Sequence, residues 1–153
     1  MKTTDADFQT TLLAAAETWR GTPFRTLQAT KGIGVDCANV VYGCLCDADI
    51  SMPDLGAPTF GESADVPFQS VIEEVLSKLV EKGTITLIDD LPTPSIKAGD
   101  ILLYRINRRT QHITLAVSAT DQLHAWPGKL VEIVAIDTRW KNRLKGHYRL
   151  TNV

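Results

Sequence analysis

Three residues have the types and spacing to do chemistry together: Cys37, His112 and His124. Cys37 follows Asp36 and a run containing Gly32 and Gly34, and it precedes the apolar stretch Val40-Val41-Tyr42. It therefore reads as the first turn of a helix with Asp36 as N-cap. The first N–H groups of a helix have no partner within it. Together with the helix dipole they favour thiolate, the nucleophilic form of cysteine. His112 opens an extended run, Ile113-Thr114-Leu115-Ala116-Val117, and His124 lies in the next one, before Ala125-Trp126. A short turn around Ala119-Thr120-Asp121 joins the two runs as an antiparallel hairpin. If the connection holds an odd number of residues, positions of equal parity face one side and the histidines share it; an even number separates them. The pattern permits a relay in which one imidazole takes the thiol proton and the other fixes its tautomer. That is the chemistry of a cysteine hydrolase.

Zinc is the competing use of cysteine and histidine, and the spacing argues against it. Cys44 and Cys46 form Cys-x-Cys, and His112 and His124 are twelve residues apart, where paired zinc ligands are usually about three to five apart. No metal and no cofactor are expected. Cys44 falls on the apolar face of its helix as packing, Cys46 reads as structural or partly exposed, and His147 reads as structural.

A chain of 153 residues, 44% of them hydrophobic, fits one domain spanning residues 1–153 with a single core. The net charge of −2 has no long like-charge blocks behind it, so neither nucleic acid nor a membrane surface is an expected partner. Arg105, Arg108 and Arg109 read as a solvated loop. Three cysteines make no even disulfide framework. The first residues lack a seven-residue apolar core, so no secretory leader is expected, and no apolar run is long enough to span a bilayer. These features imply a cytoplasmic chain, carried outward by something else if it acts elsewhere.

The elements that must position the three residues follow from hydrophobic period. Phe8, Leu12, Ala15 and Trp19 recur at helical steps and stop at Gly21 and Pro23. Residues 22–35 read as loop. The helix carrying Cys37 should run to about Asp47, burying Val40, Val41, Cys44 and Leu45. Ser51–Pro67 reads as an irregular connection. A third helix follows with Phe68, Val71, Ile72, Val75, Leu76, Leu79 and Val80 on its apolar stripe, ending at Gly83. Beyond it the period becomes extended: Ile85–Leu87, Asp100–Ile106, His112–Ser118, Gln122–Trp126, Leu130–Ile136 and His147–Leu150, with a proline-bearing loop at Leu91–Ser95 and one helical turn at Trp140–Leu144. Helices first and strands afterwards imply an α+β domain with its helices on one side of a mostly antiparallel sheet.

Five segments, in order, resemble the NlpC-type cell-wall cysteine peptidases, a papain-like family. Trp19-Arg20-Gly21-Thr22-Pro23-Phe24 resembles its W-x-G-T-P-Y segment, and Gly34-Val35-Asp36-Cys37 its G-x-D-C segment. Ala98-Gly99-Asp100-Ile101-Leu102-Leu103-Tyr104 resembles P-G-D-L-v-x-F, His112-Ile113-Thr114-Leu115 resembles H-v-g-I, and Leu123-His124-Ala125 resembles i-H-A. The segment from Val131-Glu132 through Trp140, Arg143-Leu144 and Tyr148-Arg149 further resembles the small phage or prophage branch.

The resemblance implies a papain-like fold and hydrolysis of amide bonds in peptidoglycan stem peptides through a thioester. Cys37 would be the nucleophile, His112 the general base and His124 the residue that orients it. Asp36, Asn39 and Phe24 would stand at the substrate. It also implies stem peptides as partners, with phage-tail or prophage particle proteins as carriers that deliver the chain to the wall. The chain departs from the family where Ala38-Asn39 replaces a common Ser-Gly or Leu-Gly, where Phe24 replaces tyrosine, and where Thr114 replaces glycine. Asn39 and the loss of a hydroxyl at Phe24 motivate a second reading, a phage-tail assembly protein with little turnover. A third is a thiol amidase or acyltransferase on another amide.

Overall fold

The computed structural model describes residues 5–53, 68–88, 95–108 and 111–151, with backbone alone for 68–71. Most of the Ser51–Pro67 connection, most of the Leu91–Ser95 loop, Arg109 and the side chains of Phe68 and Val71 lie outside the described residues.

Helix α1 (Asp5–Trp19) buries Leu12, Ala15, Ala16 and Trp19, as its period predicts. The loop after it is not wholly irregular. It contains a two-stranded ribbon, β1 (Ala29–Thr30) against β2 (Gly34–Val35). Strands of two residues carry no readable period, which is why the sequence conceals them. Helix α2 (Cys37–Asp47) follows directly and crosses under α1, where Trp19 donates from Nε1 to Asp47 Oδ2 at 2.9 Å. Helix α3 (Phe68–Glu81) buries Ile72, Val75, Leu76 and Leu79, while Val80, expected on the same stripe, is 39% exposed.

The second half forms β3 (Ile85–Leu87), β4 (Ile101–Arg105), β5 (Gln111–Ala116), β6 (Asp121–His124), β7 (Glu132–Ala135), a helical turn α4 (Thr138–Lys141) and β8 (Leu144–Leu150). They pair in the order β3-β8-β4-β5-β6-β7, every neighbouring pair antiparallel. This is the α+β architecture, with a mostly antiparallel sheet, expected from the order of periods. The boundaries shift at the end of the chain. The helical turn comes two residues earlier than predicted, capped by Asp137, and β8 begins at Leu144 rather than His147.

Alternation along the strands divides the apolar residues between two cores. Ile101, Leu103, Ile113, Leu115 and Leu123 face α1, α2 and α3 in the main core. Leu102, Tyr104 and Ala116 face the other way, beneath Ile136 and Trp140. His112, Thr114, Gln122 and His124 have the parity of this second set. The sheet therefore carries a buried polar layer on the face turned from the helices, where the Tyr104 and Thr114 hydroxyls both donate to Gln122 Oε1 at 2.7 Å.

One further polar cluster fixes the sheet. Asp100, at the mouth of β4, is fully buried; its Oδ2 pairs with His147 Nε2 at 2.6 Å and its Oδ1 with Arg149 Nε at 2.9 Å, both from β8. His147 is thus a strand-to-strand tie, the structural role that the sequence suggests.

Candidate active site

Cys37 is placed by the start of α2. Asp36 stands in extended backbone before it and accepts from the Asn39 N–H through Oδ1 at 2.9 Å, the usual N-cap bond. Its Oδ2 accepts from the Leu27 N–H at 2.9 Å, holding a residue whose φ of 67° is costly for a branched side chain. Both oxygens are therefore occupied and the group is buried. Asp36, expected at the substrate, belongs instead to the scaffold that aims Cys37. Phe24 packs on the main core beside a single bridge to Val35, and Asn39 stays partly exposed at the first turn of α2.

The histidines are placed by strand register. β5 and β6 pair at Ala116↔Gln122 and Leu115↔Leu123, which leaves an odd number of residues in the connection and puts His112 and His124 on one face. Their rings meet, with Nε2 of His112 3.0 Å from Nδ1 of His124. Nε2 of His124 continues to Glu132 Oε1 at 3.3 Å, from the position directly opposite on β7. Trp126 and Trp140 close around the pair: the Trp126 ring stands edge-on to His112 at 4.8 Å between centroids, and Trp140 stands edge-on to His124 at 5.6 Å. Neither tryptophan nor Glu132 enters the site from sequence reasoning. Trp126 carried a signal, since it lies two residues beyond His124 on the same face. Trp140 and Glu132 arrive by tertiary packing and register, which leave no local pattern.

The sulfur of Cys37 lies against the backbone N–H of Ile113, the residue after His112, so helix terminus and strand β5 meet at the thiol. Among the described residues no hydrogen bond joins Cys37 Sγ to the His112 ring. Both groups are almost completely buried, at 3% and 2% exposure. Burial, reinforced by the Asp36 carboxylate, pushes the Cys37 thiol up to about 12. The N–H groups of Ile113, Ala38 and Cys37 act in the opposite direction and are outweighed. Burial, with His124 adding to it, brings His112 down to about 3. The thiol of Cys37 and the imidazole of His112 are thus both neutral in the folded protein. The sequence-based expectation of a sulfur made acidic by its helix is reversed here, because desolvation exceeds the stabilisation from a few backbone donors.

Cys44, buried with its sulfur 4.0 Å from the Leu12 carbonyl, is packing, and Cys46 is exposed. Among the described residues no group of three or more histidine, cysteine or acidic side chains has a metal-holding arrangement. No helix among them is long and apolar enough to cross a membrane.

No family model matches the sequence, and no curated protein matches it either. Solved structures do. A protein described as similar to lipoprotein, NLP/P60 family, from Staphylococcus aureus subsp. aureus Mu50 aligns over 99% of this chain with a TM-score of 0.61 at 15% identity. The chain spans 44% of that protein's length. The NlpC/p60 domain of the peptidoglycan hydrolase SagA aligns over 91% of this chain and 96% of its own, with a TM-score of 0.54 at 18% identity. The P60 domain of the M. avium paratuberculosis antigen MAP1272c aligns over 95% and 94%, with a TM-score of 0.55 at 15% identity. The chain has the NlpC/P60 fold.

Proposed function

We propose that this protein is a cysteine peptidase that hydrolyses amide bonds in bacterial peptidoglycan stem peptides, with Cys37 as nucleophile, His112 as general base and His124 as the residue that orients it. The observation that carries the reading is the 3.0 Å bond between His112 Nε2 and His124 Nδ1. It engages one nitrogen of His112 and leaves Nδ1, on the residue preceding the N–H that touches Cys37 Sγ, as the available base. Support for the substrate class comes from the resemblance of five ordered sequence segments and from folds such as that of the peptidoglycan hydrolase SagA.

Because the resting pair is neutral, proton transfer accompanies attack. The Cys37 proton passes to His112 Nδ1 as Sγ bonds to the carbonyl carbon. The resulting oxyanion takes the backbone N–H of Cys37 at the helix start. Collapse expels the amine, which leaves with the proton from His112, and a thioester remains. Water, losing its proton to His112, then attacks the thioester. The acid departs and the thiol regains its proton. The chain would reach its substrate as cargo of a phage or prophage particle, a proposal carried by the resemblance of the segment from Val131 to Arg149.

Purified peptidoglycan digested to muropeptides and analysed by mass spectrometry tests this directly. Wild type should release fragments cut within the stem, and Cys37→Ala should release none while melting at an unchanged temperature. Full activity in Cys37→Ala would refute the proposal.

The deep burial of Cys37 specifically favours a second reading, an assembly protein that keeps the fold with little turnover. With Cys46 replaced by serine, alkylation at neutral pH separates the two. A nucleophile assisted by His112 reacts faster than Cys44, whereas a packing thiol reacts as slowly.

A further inference from the structure

We propose that Glu132 is a positioning residue that decides which nitrogen of His112 can act as base; the proposal rests on the assignment of Cys37, His112 and His124 just given. The hydrogen bond between the two imidazoles does not by itself settle this. His112 Nε2 and His124 Nδ1 lie 3.0 Å apart, and either could carry the shared proton. If His124 donates, His112 holds its own proton on Nδ1 and presents no lone pair to the thiol. If His112 donates, Nδ1 is free to accept. Two neutral tautomer pairs satisfy the same bond, and only one is competent.

Glu132 breaks the tie. An ionised carboxylate accepts and never donates, so its Oε1, 3.3 Å from His124 Nε2, requires the proton of His124 to sit on Nε2. His124 Nδ1 then carries the lone pair, His112 must donate to it through Nε2, and the lone pair of His112 falls on Nδ1. The register His124↔Glu132 holds the carboxylate opposite the ring, and the carboxylate remains partly exposed. The other groups facing His124 do not compete. Trp126 and Trp140 present ring contacts, and Lys129, from the connection before β7, acts on its charge without a hydrogen bond. Burial keeps both rings neutral, with Glu132 pulling the His124 proton affinity back up, so a choice between tautomers is the form in which Glu132 acts.

Glu132→Gln replaces an obligate acceptor by an amide that can equally donate, which should remove the bias. Nitrogen-15 NMR of the imidazoles at neutral pH should find both wild-type rings as Nε2–H, and the Gln variant with a substantial population of Nδ1–H on His112. On purified muropeptides, kcat should fall roughly 10-fold or more, with KM and melting temperature unchanged, and Glu132→Asp should recover part of the loss. Unchanged tautomers in Glu132→Gln, or a kcat equal to wild type, would overturn the proposal. The tautomer readout needs no turnover, so it can fail while Cys37→Ala still abolishes hydrolysis. It can also hold if the peptidase assignment itself is refuted by an active Cys37→Ala protein.

Discussion

At the scale of single residues, the ionisation of Cys37 and His112 has consequences for stability. His112 is neutral when folded because burial lowers it from 6.5 to about 3, so the unfolded chain binds a proton that the folded one refuses. Stability is complete above about pH 6.5 and declines as pH falls towards 3, by up to ~1.4 kcal/mol per pH unit. Cys37 is shifted upward, from 9.0 to about 12, so its contribution is present below pH 9 and lost as pH rises beyond it. Urea denaturation across this range should show both flanks. His112→Asn should flatten the acid flank, and Cys37→Ala should soften the alkaline one. An acid flank that persists unchanged in His112→Asn would mean that the burial of this imidazole is not its source.

At the scale of elements, α2 exists where it does because Asp36 caps it and the ribbon before it is tied to the same carboxylate. Asp36→Ala should lose the cap bond and the Leu27 anchor together, costing about 2 kcal/mol at the upper end of cap substitutions, and activity should fall with it as the thiol loses its aim. Denaturation midpoints and the muropeptide assay measure the two effects. The contact of α2 with α1 is equally tight. A Cβ on Gly43 would stand 2.4 Å from a ring carbon of Trp19, so Gly43→Ala should destabilise by roughly 1–3 kcal/mol through overpacking, despite the better helix propensity of alanine. A rise in melting temperature would show that the helices can separate to accept it.

At the scale of the whole molecule, the sheet is pinned by Asp100 bridging β4 to His147 and Arg149 of β8. The site lies on β5 and β6, away from this tie, so its loss should be felt as stability rather than chemistry. Arg149→Ala leaves a buried carboxylate half-paired and should cost about 3 kcal/mol, with KM and kcat retained at temperatures where the protein stays folded. Asp100 is held below its usual range by these partners against the opposing cost of burial, so its share of stability is present above about pH 4 and disappears as the carboxyl protonates.

The sequence by itself determined the local facts. Periods of 3.6 and 2 marked α1, α2, α3 and most strands, and Asp36-Cys37 announced a capped helix bearing a thiol, because caps and periods are properties of neighbouring residues. Parity along β5 and β6 limited His112 and His124 to two arrangements, and the register of the hairpin chose the one that joins them. Only the tertiary structure decided the rest. It buried Asp36 under Leu27, brought Trp140 over the histidines from a distant turn, set Glu132 opposite His124, and surrounded Cys37 so completely that desolvation overrides the helix terminus. Those outcomes depend on which surfaces exclude water and which strands lie opposite one another, and no short stretch of residues encodes either.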